Sequence, residues 1–267
     1  MMGEFEGKCI FTAESPEQME VLQYCAKWQA QQVQVLLRLT SGDQFGMDEE
    51  ALVQCIAKRE TYENLHIAGI QYYSGTQKKG CARIGEELKM LDGFCQKLKE
   101  EQGFEVKILE YGPGLGVPYF EGDEEEDPSQ VLGELNGFLR GLHFSGTVVL
   151  EMGRFLTAFC GSYYTTVVDA KSQGGRDYCI VDGGIHHLGY EGWEQGKKIP
   201  HCTHLPQAPD AQAPEKSWTV CGPLSTPSDV LACRMPMQDP RPGDLLIFER
   251  TGAYAVTEGR YLYDSYD

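Results

Sequence analysis

The stretch V-V-L-E-M-G-R, residues 148–154, decides the reading of the fold. Three apolar residues lead into Glu151, a glycine turn follows, and then Arg154. A buried strand that delivers a carboxylate and a guanidinium at its C-terminal end is how a β/α barrel presents its chemistry. The same grammar recurs upstream. Strands are expected at 9–12, 33–39, 66–73, 106–111 and 147–150, with helices between them from 16 on through Met19, Leu22, Cys25 and Ala26, and at about 47–58, 80–101 and 129–142. Ser15, Pro16 and Gln18 mark the first helix start, and Ser129 is read as the cap of the last. Residues 33–39 are nearly all apolar, as expected of a strand covered on both faces.

Alternation of this kind predicts a parallel sheet with covering helices. Polar and glycine-rich residues gather where strands end, at Ser41 and Gly42, at 74–76, at 112–116 and at 151–154. That placement favours the last five strands of a TIM-like (β/α) barrel. A doubly wound sheet is the alternative, but its G-x-G-x-x-G fingerprint is missing.

After about residue 159 the pattern changes. Residues 163–171 and 177–182 read as strands joined by Gln173, Gly174 and Gly175, a hairpin signal. Further strands are expected at 219–221, 245–249 and 253–257, and 200–217 reads as a polar, proline-rich loop. The expected division is therefore 1–159, a partial barrel, and 160–267, a mainly β domain.

A formal charge of −17 argues against nucleic acid or an anionic membrane as partner. The acidic run 121–127 reads as a surface loop. Ten cysteines without C-x-x-C spacing, several (Cys25, Cys55, Cys95, Cys160) in apolar periodic runs, suit reduced, buried thiols in the cytoplasm. No apolar leader opens the sequence, and no run reaches the roughly 20 apolar residues of a membrane span.

Among candidate sites, G-P-G-L-G at 112–116 follows a strand. The N–H groups of Gly112, Gly114, Leu115 and Gly116 suit a phosphate, Pro113 having none to offer, but a plain turn reads the same way. Glu151 reads as a base, a ligand, the partner of a ring nitrogen, or the structural partner of Arg154. His186–His187 and His201-x-x-His204 lack further acidic or cysteine ligands at zinc spacing, apart from Cys202 within the second pair, so no metal is expected. Ser225 stands in C-G-P-L-S-T-P-S-D without a G-x-S-x-G elbow, which argues against a hydrolase triad.

Together Q-Y-Y-S-G-T-Q (71–77), Y-G-P-G-L-G-V-P-Y (111–119), E-M-G-R (151–154), V-D-G-G (181–184), C-G-P-L-S-T-P-S-D (221–229) and G-A-Y (252–254) resemble the fold-type III pyridoxal-phosphate decarboxylases. That group includes the diaminopimelate, ornithine and arginine decarboxylases. The resemblance runs in order from about residue 9 to 260 and implies an alanine-racemase-like barrel followed by a β domain, acting as a dimer on an amino acid. It implies that Glu151 pairs with the cofactor's pyridine nitrogen. Arg154, the 112–116 loop, Thr76 and Tyr254 would hold the phosphate. Tyr73 takes the slot of the family's ring-stacking histidine, where an aromatic face still serves.

Three further positions depart from the family pattern. Ser225 replaces the cysteine that reprotonates the product, and a hydroxyl is a far weaker acid than a thiol of pKa about 8.5. Thr226 replaces an acidic residue that reads the substrate's distal amine, and Thr226 and Asp229 of the same motif are the expected substrate-binding residues. The lysine that anchors the cofactor, in a Y-x-x-K-x-N context, has no counterpart; Lys8 reads as a solvated residue. About three strand–helix units of a barrel are expected to come from elsewhere, as in a split enzyme completed by an N-terminal chain or a truncated frame. The alternatives are a non-catalytic subunit or regulator of a full-length relative, and an amino-acid racemase on the same fold.

Overall fold

The computed structural model describes residues 9–194, 196–208 and 212–261. Lys8 lies outside them. Internal contacts divide the chain into two units: 1–116 with 126–152, and 117–125 with 153–267.

In the first unit five parallel strands run in sequence order: β1 (Ile10–Ala13), β2 (Val33–Leu39), β3 (Leu65–Tyr73), β4 (Ile108–Gly112) and β5 (Thr147–Leu150). Between them lie α1 (Pro16–Trp28), α2 (Glu49–Ala57), α3 (Ala82–Gln102) and α4 (Pro128–Arg140). Ser15 caps α1, its Oγ accepting from the Gln18 amide at 3.1 Å, with Pro16 where its missing N–H costs nothing. Asp48 caps α2. The cap of α4 is Asp127 and not Ser129, because Pro128 takes the first helical position and leaves the preceding residue to bond the Ser129 amide. The apolar stripe of α3, Ile84, Leu88, Leu91, Phe94, Cys95 and Leu98, is buried.

β5 differs from expectation. Val149 is 39% exposed, and Val148 and Leu150 are only half-buried. As the last strand of the sheet it has a neighbour on one side only. β1 is the other edge, with Ile10 exposed.

The second unit opens with a short helix, α5 (Gly153–Thr157), and is built on a six-stranded sheet. Its strands are β6 (Tyr163–Gln173), β7 (Arg176–Val181), β8 (Cys202–Leu205), β9 (Glu215–Cys221), β10 (Val230–Gln238) and β11 (Leu245–Phe248), in the spatial order β10-β9-β7-β6-β11-β8. Gly174 and Gly175, at φ of 61° and 76°, turn β6 into β7 as predicted. The stretch 200–217 is not all loop, since it contains β8 and the start of β9. β10 was not foreseen, and 253–257 forms turns where a strand was expected. The core gathers Val167, Cys179, Val220, Leu231, Leu246 and Phe248, joined by Tyr119 and Phe120 from the 117–125 segment. Of the thiols expected to be buried, Cys55 and Cys95 are, Cys25 is half-buried and Cys160 is exposed.

Candidate active site

In the first unit the C-terminal ends of β3, β4 and β5 carry the site. Register aligns Gln71 with Glu110 and Glu110 with Val149, so Gln71, Tyr73, Glu110, Gly112, Val149 and Glu151 share one face. The Glu151 amide continues the ladder to the Tyr111 carbonyl at 3.0 Å, which fixes where the carboxylate emerges. Gln71 Nε2 donates to Glu151 Oε2 at 3.4 Å, and the Glu110 carboxyl, on the same face, lies beside that of Glu151. Interaction with the Glu151 carboxyl, with burial and the charge of Glu151 behind it, pushes the Glu110 carboxyl up to about 7. Tyr73 and Glu151 converge over Gly112. A Cβ there would stand 2.6 Å from Tyr73 Cδ2 and 3.4 Å from Glu151 Oε2, so a side chain would displace the tyrosine ring.

The two loops that follow β3 and β4 are zipped together. Lys78 N donates to the Gly114 carbonyl at 2.9 Å, and Lys78 bridges Leu115. Gly114 has φ of 66°, and a Cβ on it would come within 2.0 Å of the Gly75 carbonyl oxygen. Only glycine meets both demands. This holds the 112–116 loop beside Thr76. Behind the loops, Glu87 of α3 accepts from Lys78 Nζ (2.7 Å), Ser74 Oγ (2.5 Å), Tyr111 Oη (2.7 Å) and Arg83 Nε (3.0 Å). Burial alone would raise its carboxyl, but these bonds outweigh it and hold it below the usual range. Burial lowers the Lys78 ammonium, against the pull of Glu87. Two cations around one carboxylate leave a net positive charge behind the loop, which favours an anion.

In the second unit Arg154 Nη1 bonds Tyr119 Oη at 3.0 Å and Nη2 bonds Glu258 at 3.1 Å, while the guanidinium lies 4.8 Å from the centre of the Tyr254 ring. Its Nε is buried without a partner. Tyr254 is half exposed at φ of 61°. Ser225 and Thr226 lie in the bend between β9 and β10, with Thr226 Oγ1 3.0 Å from Ser228 Oγ. Asp229 is buried, and its oxygens accept from the Ile185 and Leu224 amides, both at 2.9 Å. In this structure Asp229 holds the loop that carries Ser225.

His201 faces Glu121 at 3.3 Å and His204 faces Asp244 at 3.0 Å. Among the described residues no three His, Cys, Asp or Glu side chains are grouped to hold a metal.

Glu110, Gln71, Lys78 and Glu87 were missed in the sequence. Glu110 alone had a signal, as the polar residue within the apolar run that leads to Gly112.

The fold and this arrangement define a β/α sheet unit with a following sheet domain, and the comparisons with known proteins agree. The sequence model of the pyridoxal-dependent decarboxylase C-terminal sheet domain matches residues 26–252. The chain belongs to the pyridoxal-dependent decarboxylase family. It is 30% identical to the L-glutamyl-[BtrI acyl-carrier protein] decarboxylase of Niallia circulans, over 80% of this chain and 52% of that protein. It is 24% identical to the diaminopimelate decarboxylase of Aquifex aeolicus, over 92% of this chain and 60% of the relative. Among solved structures, the diaminopimelate decarboxylase of M. jannaschii in complex with L-lysine matches with a TM-score of 0.82 at 19% identity, over 96% of this chain and 62% of that one. The lysine/ornithine decarboxylase of Vibrio vulnificus in complex with cadaverine matches with a TM-score of 0.81 at 21% identity, over 98% and 67%. The chain thus spans about half to two thirds of the length of these relatives.

The residues present fit pyridoxal phosphate. Tyr73 offers a ring beside a carboxylate, and the missing side chain of Gly112 lets the two come together there. Gln71 Oε1 is a buried polar atom with no partner, and the 112–116 backbone offers N–H groups.

Proposed function

We propose that this chain forms the C-terminal portion of a pyridoxal-phosphate-dependent amino-acid decarboxylase, completed by a separate N-terminal chain that brings the cofactor's lysine. The convergence of Tyr73 and Glu151 over Gly112 carries this reading. Bound here, pyridoxal phosphate supplies the electron sink for the bond that releases carbon dioxide. Glu151 takes the ring nitrogen and Tyr73 packs on the ring. The N–H groups of Gly112, Gly114, Leu115 and Gly116, with the Thr76 hydroxyl, take the phosphate, and the resemblance assigns Arg154 and Tyr254 to it as well. Ser225 Oγ returns the proton to the product, and Thr226 faces the distal end of the substrate, with Asp229 holding their loop.

Completion by another chain is supported at the edges of the sheet. An unpaired edge strand is a template for further pairing. Beside β1, α1 exposes Val21 (61%), Tyr24 (72%) and Trp28 (78%) at helical spacing. Such a stripe on a β/α unit is the face that the preceding helix covers. The assembled enzyme is read as a dimer in the cytoplasm. Among the described residues no helix is long and apolar enough to cross a membrane.

The test is to mix the chain with a candidate N-terminal polypeptide and pyridoxal phosphate, then follow cofactor absorbance and carbon dioxide release. Uptake with release supports the reading. A mixture that takes up no cofactor overturns it. Ser225 in place of cysteine favours a second reading, a non-catalytic regulatory subunit, which predicts co-purification with a full-length relative whose activity Glu151→Gln leaves unchanged.

A further inference from the structure

We propose that Glu110 is a positioning residue for Glu151: it carries the proton of the hydrogen bond between the two carboxyls and so holds Glu151 as an oriented acceptor for the cofactor's ring nitrogen. The inference rests on the reading of Glu151 given above.

The geometry comes from the sheet. β3, β4 and β5 are in parallel register, which sets Gln71, Glu110 and Val149 side by side on one face, with Glu151 two residues beyond Val149. Glu151 is approached from two sides, by the amide of Gln71 at 3.4 Å and by the Glu110 carboxyl. Two carboxyls can hydrogen-bond only when one of them keeps a proton. Like charges at such range cannot both ionise freely, and the Glu110 carboxyl is correspondingly raised, to about 7. The other groups on this face do not supply the missing charge. Tyr73 is a phenol, Val149 is apolar, and Arg38, the register partner of Gln71 on β2, is spent on Glu14 at 2.6 Å. No cation from these strands competes for Glu110, so the proton stays with the pair.

A glutamine at position 110 can donate the same hydrogen bond without titrating, whereas an alanine cannot. This separates positioning by a proton from mere packing. Because the Glu110 carboxyl is raised above its unfolded value, its contribution to stability is full below about pH 4.5 and is lost as pH rises through about 7. The experiment uses the full chain without cofactor and compares wild type, Glu110→Gln, Glu110→Ala and Glu151→Gln. Melting temperature is measured from pH 5 to 8, together with the carboxylic-acid infrared band. Pyridoxal phosphate affinity is measured by equilibrium dialysis at pH 6.5.

The expected result is a carboxylic-acid band in wild type that fades around pH 7 and is missing from both glutamine variants, and a matching decline in melting temperature that Glu110→Gln abolishes. Cofactor affinity should stay within about twofold in Glu110→Gln and fall about tenfold in Glu110→Ala, the loss of one charge-assisted hydrogen bond. A band and a melting profile unchanged in Glu110→Gln overturn the inference, as does equal loss of affinity in both variants. If wild type alone binds no cofactor, the affinities are read from its mixture with the N-terminal polypeptide, where no uptake overturns the proposed function, and the infrared and melting data still decide whether Glu110 and Glu151 share a proton.

Discussion

Lys78 and Glu87 meet at 2.7 Å between Nζ and Oε2, with side chains only 4% and 9% exposed. The pair ties the loop after β3 to α3, and through Tyr111 Oη to β4. It is the support on which the glycine loop rests. Removing one partner of a buried pair strands the other charge and costs about 3–5 kcal/mol. Lys78→Ala or Glu87→Ala is therefore expected to lower stability by that amount in chemical denaturation. The paired replacement Lys78→Met with Glu87→Leu removes one charge of each sign, so it should recover part of the stability and leave the net positive charge behind the loop, that of Arg83, unchanged.

Gly112→Ala and Gly114→Ala should fail in different ways. The first places a methyl group against the Tyr73 ring at 2.6 Å and calls for the ring to move, so the fold should survive with reduced pyridoxal phosphate uptake. The second meets the Gly75 carbonyl at 2.0 Å in a left-handed backbone, so both stability and uptake should fall. Thermal melts alongside equilibrium dialysis separate the two.

Asp229→Ala leaves the buried amides of Ile185 and Leu224 without an acceptor. A stranded buried donor costs about 1–3 kcal/mol. Denaturant unfolding should show a loss of about 2–4 kcal/mol, and limited proteolysis should cut the 222–228 loop sooner.

At acid pH the sign of the linkage is the opposite of that for Glu110. Burial alone would raise the carboxyls of Asp92 and Asp244, but backbone amides outweigh it: those of His143 and Phe144 for Asp92, those of Gln207 and Arg241 for Asp244, each helped by a histidine. Both carboxyls are held below their ordinary values. Their stabilisation is present above about pH 4 and is lost as pH falls through the lowered values. Melting temperature should drop steeply below pH 4 in wild type, and less steeply in Asp92→Asn and Asp244→Asn.

Trp28→Glu tests the completing chain. Trp28 is 78% exposed, so the change should move the stability of this chain by no more than about 0.5 kcal/mol. Association with an N-terminal polypeptide, measured by sedimentation or calorimetry, should weaken at least about tenfold.

The β/α succession was legible because apolar runs alternate with capped, amphipathic segments, and the hairpin because Gly174 and Gly175 supply the backbone it needs. β10 was hidden by Pro236, which argues against a strand in a sheet centre but is tolerated here because β10 is an edge. The cap of α4 was misread because Asp127 and Ser129 flank Pro128 and both can cap; the fixed proline φ decides between them. Glu151, Tyr73 and the glycine loop were visible through motifs that follow strand ends. The partners Gln71, Glu110, Lys78 and Glu87 were not, since parallel register and helix packing bring them together from as far as 80 residues apart.

The most direct test is carbon dioxide release by the chain reconstituted with an N-terminal polypeptide and pyridoxal phosphate, compared with the same mixture made with Glu151→Gln. The account predicts release from an amino acid by wild type and a fall of at least about tenfold in the variant, a loss of about 1.4 kcal/mol or more of transition-state stabilisation. Equal release from both would contradict it.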